Sequence, residues 1–388
     1  MDTQFTSNWN YPTRIWFGIG RLESLPAACD EFNIKNPLLI TDPGLAKLDL
    51  VSRALAINAT AGLHTALFTD IKPNPVAGNI AAGIAAFKAG KHDGIIAIGG
   101  GSALDSAKTV ALTALQSGEL WDYEDIADNY KRIDVAKIVP LIAVPTTSGT
   151  GSEVGRAALI IDEVKQQKRF IFHANMVPDL VIADPSLVVG LPPFLTAATG
   201  MDALAHNLEA YCAPGFHPMA DGIALEGLRL IKENLLIAYQ NGQDLTARAN
   251  LMAASIMGGS AFQKGLGAVH SLSHPVGAIY DHHHGLLNAI FMPYVLRFNK
   301  SDIEAKMRTL AQYLGLASPS TKAVIKWLVS LSEQMDIPRQ LSSLNVDEQY
   351  IDTIVQQALL DPSTAGNPRQ LTAEDFAAIF RDAVAGKL

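Results

Sequence analysis

"GIIAIGGGSALDSAK", residues 94–108, decides the fold class of this chain. An apolar, β-branched run leads through three glycines into an alanine-rich segment, which is the strand–turn–helix unit of a parallel sheet covered by helices. The glycines let the backbone approach a ligand, and the following helix presents free N–H groups and its positive dipole end. Because the GxGxxG spacing is missing, the turn is compatible with a pyrophosphate site or with a plain tight turn. Ser102 and Asp105 can also act as helix-start residues that satisfy unpaired N–H groups.

The alternation of strand and helix patterns extends over the first half of the chain. Strand-like runs are RIWFG (14–18), PLLITD (37–42), HTALF (64–68), GIIAIG (94–99), IVPLIAV (138–144) and DLVIAD (179–184). After GLPPFLTAATG the strand patterns stop, and helical periodicity continues almost to the end. We predict an α/β N-terminal domain, residues 1–187, with a Rossmann-like, mostly parallel sheet. The remainder, residues 188–388, is predicted to be an all-α domain.

Composition narrows the class of partner. Of the 388 residues, 48% are hydrophobic and 18% are charged, and the formal net charge is −8, which is typical of a well-buried globular protein. The acidic balance and the lack of basic runs argue against nucleic-acid and membrane-surface binding, so we expect small-molecule partners. The two cysteines lie outside any CxxC pattern and the N-terminus lacks a signal-peptide pattern, so we expect a cytoplasmic protein.

Two further loops follow predicted strands. The run LIAVP ends in TTSGTGSEV, residues 146–154, at the carboxyl end of a strand, where ligands of open α/β sheets bind. Its hydroxyls and amides can hold ribose and phosphate oxygens. Asp42 follows another strand at its carboxyl end. There its carboxylate can accept hydrogen bonds from ribose hydroxyls and repel a 2′-phosphate, so the residue favours NAD over NADP. An Asx turn before Pro43 is the alternative role for Asp42.

The helical half concentrates histidines. GAVHSLSHPVGAIYDHHHG, residues 267–285, holds five of the ten in the chain. Upstream, MDALAHNLEAY places Asp202 and His206 four positions apart, on one helix face. His270 and His274 repeat this spacing, and the HHH triplet follows. Three imidazoles and one carboxylate would suit Fe(II) or Zn(II), although spacing alone leaves open which of the five downstream histidines bind.

Taken together, these motifs resemble the iron-containing, group III alcohol dehydrogenase family, along the whole chain and in the family's order. The motifs are GGGSALDSAK, PTTSGTGSEV, GMDALAHNLEAY, KGLGAVHSLSHPVGAIYDHHHG and the late NPR, residues 367–369. The resemblance implies the architecture shared with dehydroquinate synthase, in which a dinucleotide-binding domain faces a helical metal domain across a cleft. It implies hydride transfer between a metal-bound primary alcohol and NAD(H), with Fe(II) or Zn(II), in a homodimer or higher homo-oligomer.

The resemblance also assigns roles to residues. The family's metal ligands fall on Asp202, His206, His270 and His284. His274 matches a histidine near the nicotinamide that is not a ligand, and we assign it to cofactor positioning and a proton path. His282 and His283 are then solvent-facing or support the ligands. With the loops described above, the expected cofactor-binding residues are Asp42, Asn74, Gly100, Gly101, Ser102, Asp105, Thr146, Thr147, Thr150 and Lys168.

Two cations bear on the substrate. Lys264 replaces the neutral residue of many family members, and Arg156 lies close to a cofactor motif. Both can be ordinary surface or helix-end charges, or they can hold a substrate carboxylate. With ADGIALEGL (220–228), the pattern resembles the 4-hydroxybutyrate dehydrogenase branch, which favours a short ω-hydroxy acid such as 4-hydroxybutyrate, or succinate semialdehyde. The alternatives are neutral alcohols or diols of the lactaldehyde and propanediol type, or a metal-dependent lyase on the same fold.

Overall fold

Parallel strands and helices alternate through the first half of the chain, and helices alone make up the second half. The structure is a computed structural model that describes Tyr11, residues 13–165 and residues 167–388. Within them the chain divides into two compact units: residues 13–189 form one, and Gly190–Leu388 together with Tyr11 form the other. The predicted fold class, α/β followed by all-α, is confirmed. No helix among the described residues is long and apolar enough to cross a membrane.

The first unit contains eight strands and four α-helices among its described residues. In chain order they are β1 (Arg14–Phe17), α1 (Leu25–Glu31), β2 (Pro37–Ile40), α2 (Asp49–Thr60), β3 (Ala66–Phe68), α3 (Ala77–Ala89), β4 (Gly94–Gly99), α4 (Gly101–Thr113), β5 (Leu141–Pro145), β6 (Ala157–Asp162), β7 (Gln167–Phe172) and β8 (Leu180–Ala183).

Six of these strands form one parallel sheet in the order β1-β8-β5-β4-β2-β3, and each corresponds to a predicted strand. Strands β2, β4, β5 and β8 are buried along their whole length, as is typical of parallel strands with helices on both faces. On one face their aliphatic side chains pack against α1 and α2. The strand order changes direction between β2 and β4, and the carboxyl ends at such a point are the usual ligand site.

An antiparallel hairpin of β6 and β7 has no counterpart among the predicted strands. It pairs Ala157 with Phe172 and Asp162 with Gln167. In β6, buried and half-buried residues alternate, which is the period-two pattern of a strand with one covered face. The sequence analysis identified strands by continuous apolar runs, which are typical of buried parallel strands. It therefore missed the weaker alternating pattern of this hairpin.

The second unit contains eight α-helices. They are α5 (Pro193–Cys212), α6 (Pro218–Gln240), α7 (Leu245–Ala261), α8 (Ala268–Tyr280), α9 (His284–Tyr313), α10 (Thr321–Gln334), α11 (Ile351–Leu360) and α12 (Ala373–Ala385).

Helix α5 is the central helix of this unit. Every residue from Thr196 to Cys212 is buried, because α6, α7 and α9 pack around it. Small residues permit the close packing: a Cβ added to Gly258 of α7 would lie 3.1 Å from the Cβ of His206 and 2.7 Å from Asn207 Nδ2. The polar residues of α5 are therefore held rigidly inside the unit, which suits a site that needs fixed ligands.

Candidate active site

The four predicted metal ligands converge on one carboxylate oxygen, Asp202 Oδ1, in the helical unit. The Nε2 atoms of His206, His270 and His284 lie 3.8, 3.9 and 3.7 Å from it. Three helices supply the group: α5 carries the first two residues, α8 carries His270, and α9 begins at His284. Ligand atoms about 2.1 Å from a tetrahedral cation lie roughly 3.4 Å apart. The residues present therefore fit Fe(II) or Zn(II).

The four residues are not equally close to one another. Ligand atoms of Asp202, His270 and His284 all lie within 4.8 Å of each other, and His206 adjoins this group. Its ring stacks on the ring of His270 with centroids 4.7 Å apart.

The amide of Asn288 lies in the middle of the cluster, and the sequence analysis did not predict it. Its Nδ2 donates to Asp202 Oδ1 at 2.9 Å and lies 3.2 Å from His270 Nε2 and 3.1 Å from His284 Nε2. Its Oδ1 is buried without a hydrogen-bond partner. The two N–H groups of this amide thus face three atoms that can accept a hydrogen bond, so the amide cannot satisfy all three. The position four residues after His284 on α9 is the sequence signal that points to it.

Glu209 is a second residue that the prediction missed, and it contacts His270. Its Oε2 accepts a hydrogen bond from His270 Nδ1, while the other ring nitrogen, Nε2, lies 3.9 Å from Asp202 Oδ1. Burial lowers the pKa of His270, but the charge and hydrogen bond of Glu209 raise it, so the pKa lies above its ordinary value. Metal-binding imidazoles commonly have such a carboxylate partner.

His274 lies beside the cluster and interacts with a different carboxylate. Its ring stacks on His284 with centroids 5.1 Å apart and an angle of 11° between planes. Its Nδ1 lies 2.7 Å from Asp361 Oδ2. His274 therefore adjoins the predicted ligand His284 on one side and the carboxylate of Asp361 on the other.

Only the last histidine of the HHH triplet faces the cluster. His282 Nε2 donates to the carbonyl of Leu344 at 2.8 Å, and the ring of His283 meets Phe194 edge-on at 6.2 Å. The first two histidines therefore hold the loop between α8 and α9, while His284 begins α9 and points inwards.

In the α/β unit, three predicted cofactor loops lie at the carboxyl ends of neighbouring strands β2, β4 and β5. The glycine turn packs directly against the hydroxyl-rich loop. A Cβ on Gly100 would lie 3.1 Å from Thr147 Cγ2, and one on Gly101 would lie 2.9 Å from Thr150 Cγ2. The N–H of Thr146 donates to the carbonyl of Gly99 at 3.0 Å. The structure thus brings these loops together at the edge where the strand order changes direction.

Asp42 and Ser102 stabilise the segments around this edge. Asp42 Oδ1 accepts the backbone N–H groups of Gly44 and Leu45, both at 2.9 Å, so the Asx turn is formed. Both bonds use the same carboxylate oxygen. Ser102 Oγ donates to the carbonyl of Pro73, which ties the half-buried Asn74 segment to the start of α4.

Asp105 has protein partners for both carboxylate oxygens. Oδ1 accepts from Ser152 Oγ at 2.5 Å and pairs with Lys108 Nζ at 3.1 Å, and Oδ2 accepts from the N–H of Leu159 at 3.0 Å. It joins α4, the 146–154 loop and β6. The observed contacts of Asp105 therefore tie the 146–154 loop to its neighbouring elements.

Lys168 and Arg156 lie on or beside the hairpin that the sequence did not predict. Lys168 is half-buried on β7, opposite Ile161 of β6. Arg156 precedes β6, and its guanidinium carbon lies 5.7 Å from the ring centroid of Phe172. The observed contact of Arg156 is thus a cation–π interaction within the hairpin.

Lys264 belongs to the helical unit and lies in the short 3-10 turn Phe262–Lys264 after α7. Its ammonium pairs with Asp221 and lies 3.5 Å from the carbonyl of Tyr211. Lys306 Nζ approaches the same carboxylate at 3.7 Å. Burial and the neighbouring Lys264 lower the pKa of Lys306 to about 8. Two lysines therefore share one carboxylate near the end of α5.

Comparisons with known proteins cover both halves of the chain. Residues 12–185 match "Iron-containing alcohol dehydrogenase", and residues 196–384 match "Fe-containing alcohol dehydrogenase family, C-terminal". The chain is 41% identical over 379 residues to 4-hydroxybutyrate dehydrogenase of Cupriavidus necator, covering 94% of this chain and 97% of that protein.

Two solved structures agree. A 1,3-propanediol oxidoreductase matches with a TM-score of 0.93 and 34% identity, covering 97% of this chain and 100% of that one. Sulfoacetaldehyde reductase from Bifidobacterium kashiwanohense, in complex with NAD+, matches with a TM-score of 0.88 and 25% identity, covering 98% and 99%. Iron and NAD(H), the expected cofactors, are those of the matched family. Because both halves match, this chain belongs to the iron-containing alcohol dehydrogenase family and is an oxidoreductase that acts on CH–OH groups.

Proposed function

We propose that this protein interconverts a short ω-hydroxy acid and its semialdehyde, of the 4-hydroxybutyrate and succinate semialdehyde kind, using NAD(H) and Fe(II) or Zn(II). The observation that carries the reaction class is the convergence of three imidazole Nε2 atoms on Asp202 Oδ1. A divalent cation bound there makes a hydroxyl group more acidic and polarises a carbonyl group. Asp202, His206, His270 and His284 hold that cation.

His274 handles the proton that the substrate hydroxyl releases. Because its Nδ1 faces Asp361, its Nε2 is the atom that accepts the proton and passes it to solvent. In aldehyde reduction the same atom returns the proton.

The three loops at the carboxyl edge of the sheet bind NAD. The start of α4 offers the N–H groups of Gly101 and Ser102 to the pyrophosphate, where the helix dipole also favours negative charge. Thr147 and Thr150 pack against this turn and supply hydroxyls at its rim. The free oxygen of Asp42 accepts ribose hydroxyls and repels a 2′-phosphate, so NAD is preferred over NADP.

The pair of lysines supports a substrate with a carboxylate. Lys264, Lys306 and Asp221 carry two positive charges and one negative charge, which favours a further anion. Phe262, in the same turn as Lys264, packs against the ring of His206 with centroids 5.2 Å apart. Lys264 also approaches Tyr211, five residues after His206 on α5, or about 7.5 Å along the helix axis. A short hydroxy acid spans a separation of this size.

A neutral diol is the second candidate, because the ammonium of Lys264 already has a partner. Its side chain is 2% exposed and pairs with Asp221, and its contact with the carbonyl of Tyr211 lies in the last turn of α5, where a lysine commonly caps the last carbonyls of a helix. In that case Lys264 stabilises the end of α5, and the substrate needs no charge.

The test measures NADH formation by metal-loaded protein with 4-hydroxybutyrate and with 1,3-propanediol. We expect the acid to be preferred and Lys264→Ala to raise its KM about tenfold or more, since a hydrogen bond to a charged group contributes roughly 1.5–3 kcal/mol. The diol kinetics should not change. Lys322→Ala removes an exposed lysine of α10 and is the matched control. If the wild type instead prefers the diol, and Lys264→Ala does not change this preference, the neutral diol replaces the acid as the proposed substrate.

We also propose that the protein is a cytoplasmic homo-oligomer. Strand β1 lies at one edge of the sheet, and nearby Phe17 and Ile19 are 40% and 63% exposed, which suits an interface with a second copy. Both cysteines are free and buried, as is common in a reducing compartment. Light scattering after size exclusion tests the assembly, and a monomeric mass at micromolar concentration would contradict it.

A further inference from the structure

The carboxylate of Glu209 binds a metal-site imidazole and the backbone of the helix that carries it. Its Oε2 accepts from His270 Nδ1, and its Oε1 accepts the N–H of Val269 at 2.8 Å. Val269 lies in the first turn of α8. Glu209 projects from the rigid central helix α5, three residues after His206, and its side chain is 8% exposed. One buried side chain thus holds both the start of α8 and the ring of His270.

The side chain of Asn367, from the late NPR motif, caps the same end of α8 by accepting a hydrogen bond from a backbone N–H group. Its Oδ1 accepts the N–H of Ala268 at 3.3 Å, and its amide exchanges two hydrogen bonds of 2.9 Å with Asn299. The N-cap residue Gly267 has no side chain to perform this task. A Cβ there would lie 2.9 Å from Asn367 Oδ1 and 3.1 Å from Glu209 Oε1, so glycine leaves room for both caps.

We infer that Glu209 is a positioning residue that sets His270 as a metal ligand before the metal binds. A neutral imidazole carries one proton, and a carboxylate acceptor at Nδ1 keeps the proton there, so Nε2 presents its lone pair. That Nε2 is the atom 3.9 Å from Asp202 Oδ1. The inference rests on the proposed function, because it assumes that a cation binds at this cluster.

The test compares the Zn(II) affinity of the full-length wild type, Glu209→Gln and Asn367→Ala, measured by competition with a chelator. Glutamine keeps one acceptor oxygen but cannot serve both partners, so we expect Zn(II) to bind 10–100-fold more weakly. Asn367→Ala removes a cap of the same helix and should lower the melting temperature while keeping the wild-type affinity. Glu233→Gln, on an exposed side chain of α6, should change neither quantity.

Two results would overturn the inference: wild-type affinity in Glu209→Gln, or an equal loss in Asn367→Ala, which would reduce Glu209 to a helix cap. A measurement on the wild type needs no variant of Glu209. The imidazole 15N NMR signals of metal-free protein, assigned with His270→Gln and recorded at a pH high enough for the ring to be neutral, should show the His270 proton on Nδ1, and a neutral ring with its proton on Nε2 would refute the role. Failure of the wild type to bind Zn(II) would instead remove the proposed function.

Discussion

His274 and Asp361 form a buried hydrogen-bonded pair beside the metal cluster, with 2.7 Å between Nδ1 and Oδ2. The other carboxylate oxygen accepts the N–H of Ser363 at 2.8 Å, which fixes its orientation. Burial raises the pKa of Asp361, but the imidazole charge and the hydrogen bonds lower it below the ordinary value. The carboxylate therefore stays ionised at neutral pH and holds the imidazole through Nδ1, and we propose Nε2 as the nitrogen that transfers the proton.

This pair predicts a loss of turnover without a loss of metal. His274→Ala should lower kcat about 100-fold or more, the scale of general acid–base catalysis. Asp361→Asn should lower kcat less, because the imidazole remains but loses its charged partner. Elemental analysis should find wild-type metal content in both variants, since neither residue is among the four proposed ligands. A metal-free His274→Ala protein would contradict this division of roles.

The HHH triplet predicts a sharp contrast between adjacent histidines. His284→Gln removes an Nε2 that lies 3.7 Å from Asp202 Oδ1, so the purified variant should lose most of its metal and its activity. His283→Gln, one residue earlier, changes a ring that packs against Phe194 and should retain both. Equal metal content in the two variants would show that His284 is not a ligand.

Local patterns in the sequence were sufficient to predict the sheet and to place part of the candidate site. Buried parallel strands appear as continuous apolar runs, so their positions could be read directly. The spacing of Asp202 and His206 places them on one helix face whatever the helix packs against. The family resemblance, rather than spacing, selected His284 from the triplet, because the chain direction at the end of α8 depends on tertiary contacts such as that of His282 with Leu344.

The supporting residues could not be predicted in this way, because their partners are distant along the chain. Glu209 meets a ring 61 residues away, and Lys264 meets Asp221 at a separation of 43 residues. Asp105 resembles a cofactor contact in sequence, yet its carboxylate binds Ser152 and its neighbours. Only the packing of helices and loops decides which of these charges face a ligand and which face each other.

Asp42 predicts the choice between NAD and NADP. Asp42→Asn keeps an acceptor oxygen for the Asx turn with Gly44 and Leu45 but removes the negative charge. The 2′-phosphate of NADP should then meet less repulsion, and kcat/KM for NADP should rise about tenfold, as expected from roughly 1.4 kcal/mol of removed repulsion. Kinetics with both cofactors provide the measurement. An unchanged preference would mean that Asp42 serves the turn alone.

Glu153 predicts an unusual dependence of stability on pH. It lies in the 146–154 loop, is 2% exposed, and its Oε1 has no hydrogen-bond partner. Burial raises its pKa from 4.5 to about 7. At a pH between these two values, Glu153 is ionised in the unfolded chain but still protonated in the folded protein. The free energy of unfolding should therefore fall as the pH rises through this window, by about 3 kcal/mol in total.

Glu153→Gln cannot ionise and should therefore lose less stability than the wild type between pH 5 and pH 8. Urea unfolding at both pH values, followed by far-UV circular dichroism, measures the difference. Glu163→Gln is the matched control, because Glu163 is exposed in the turn after β6 and its charge is solvated in both states. If the unfolding midpoints of the wild type and Glu153→Gln shift in parallel with pH, the buried carboxyl group of Glu153 does not cause the loss of stability at high pH. Convergence of the two proteins at pH 5 and separation at pH 8 would identify Glu153 as the group that titrates, since no other charge differs between them.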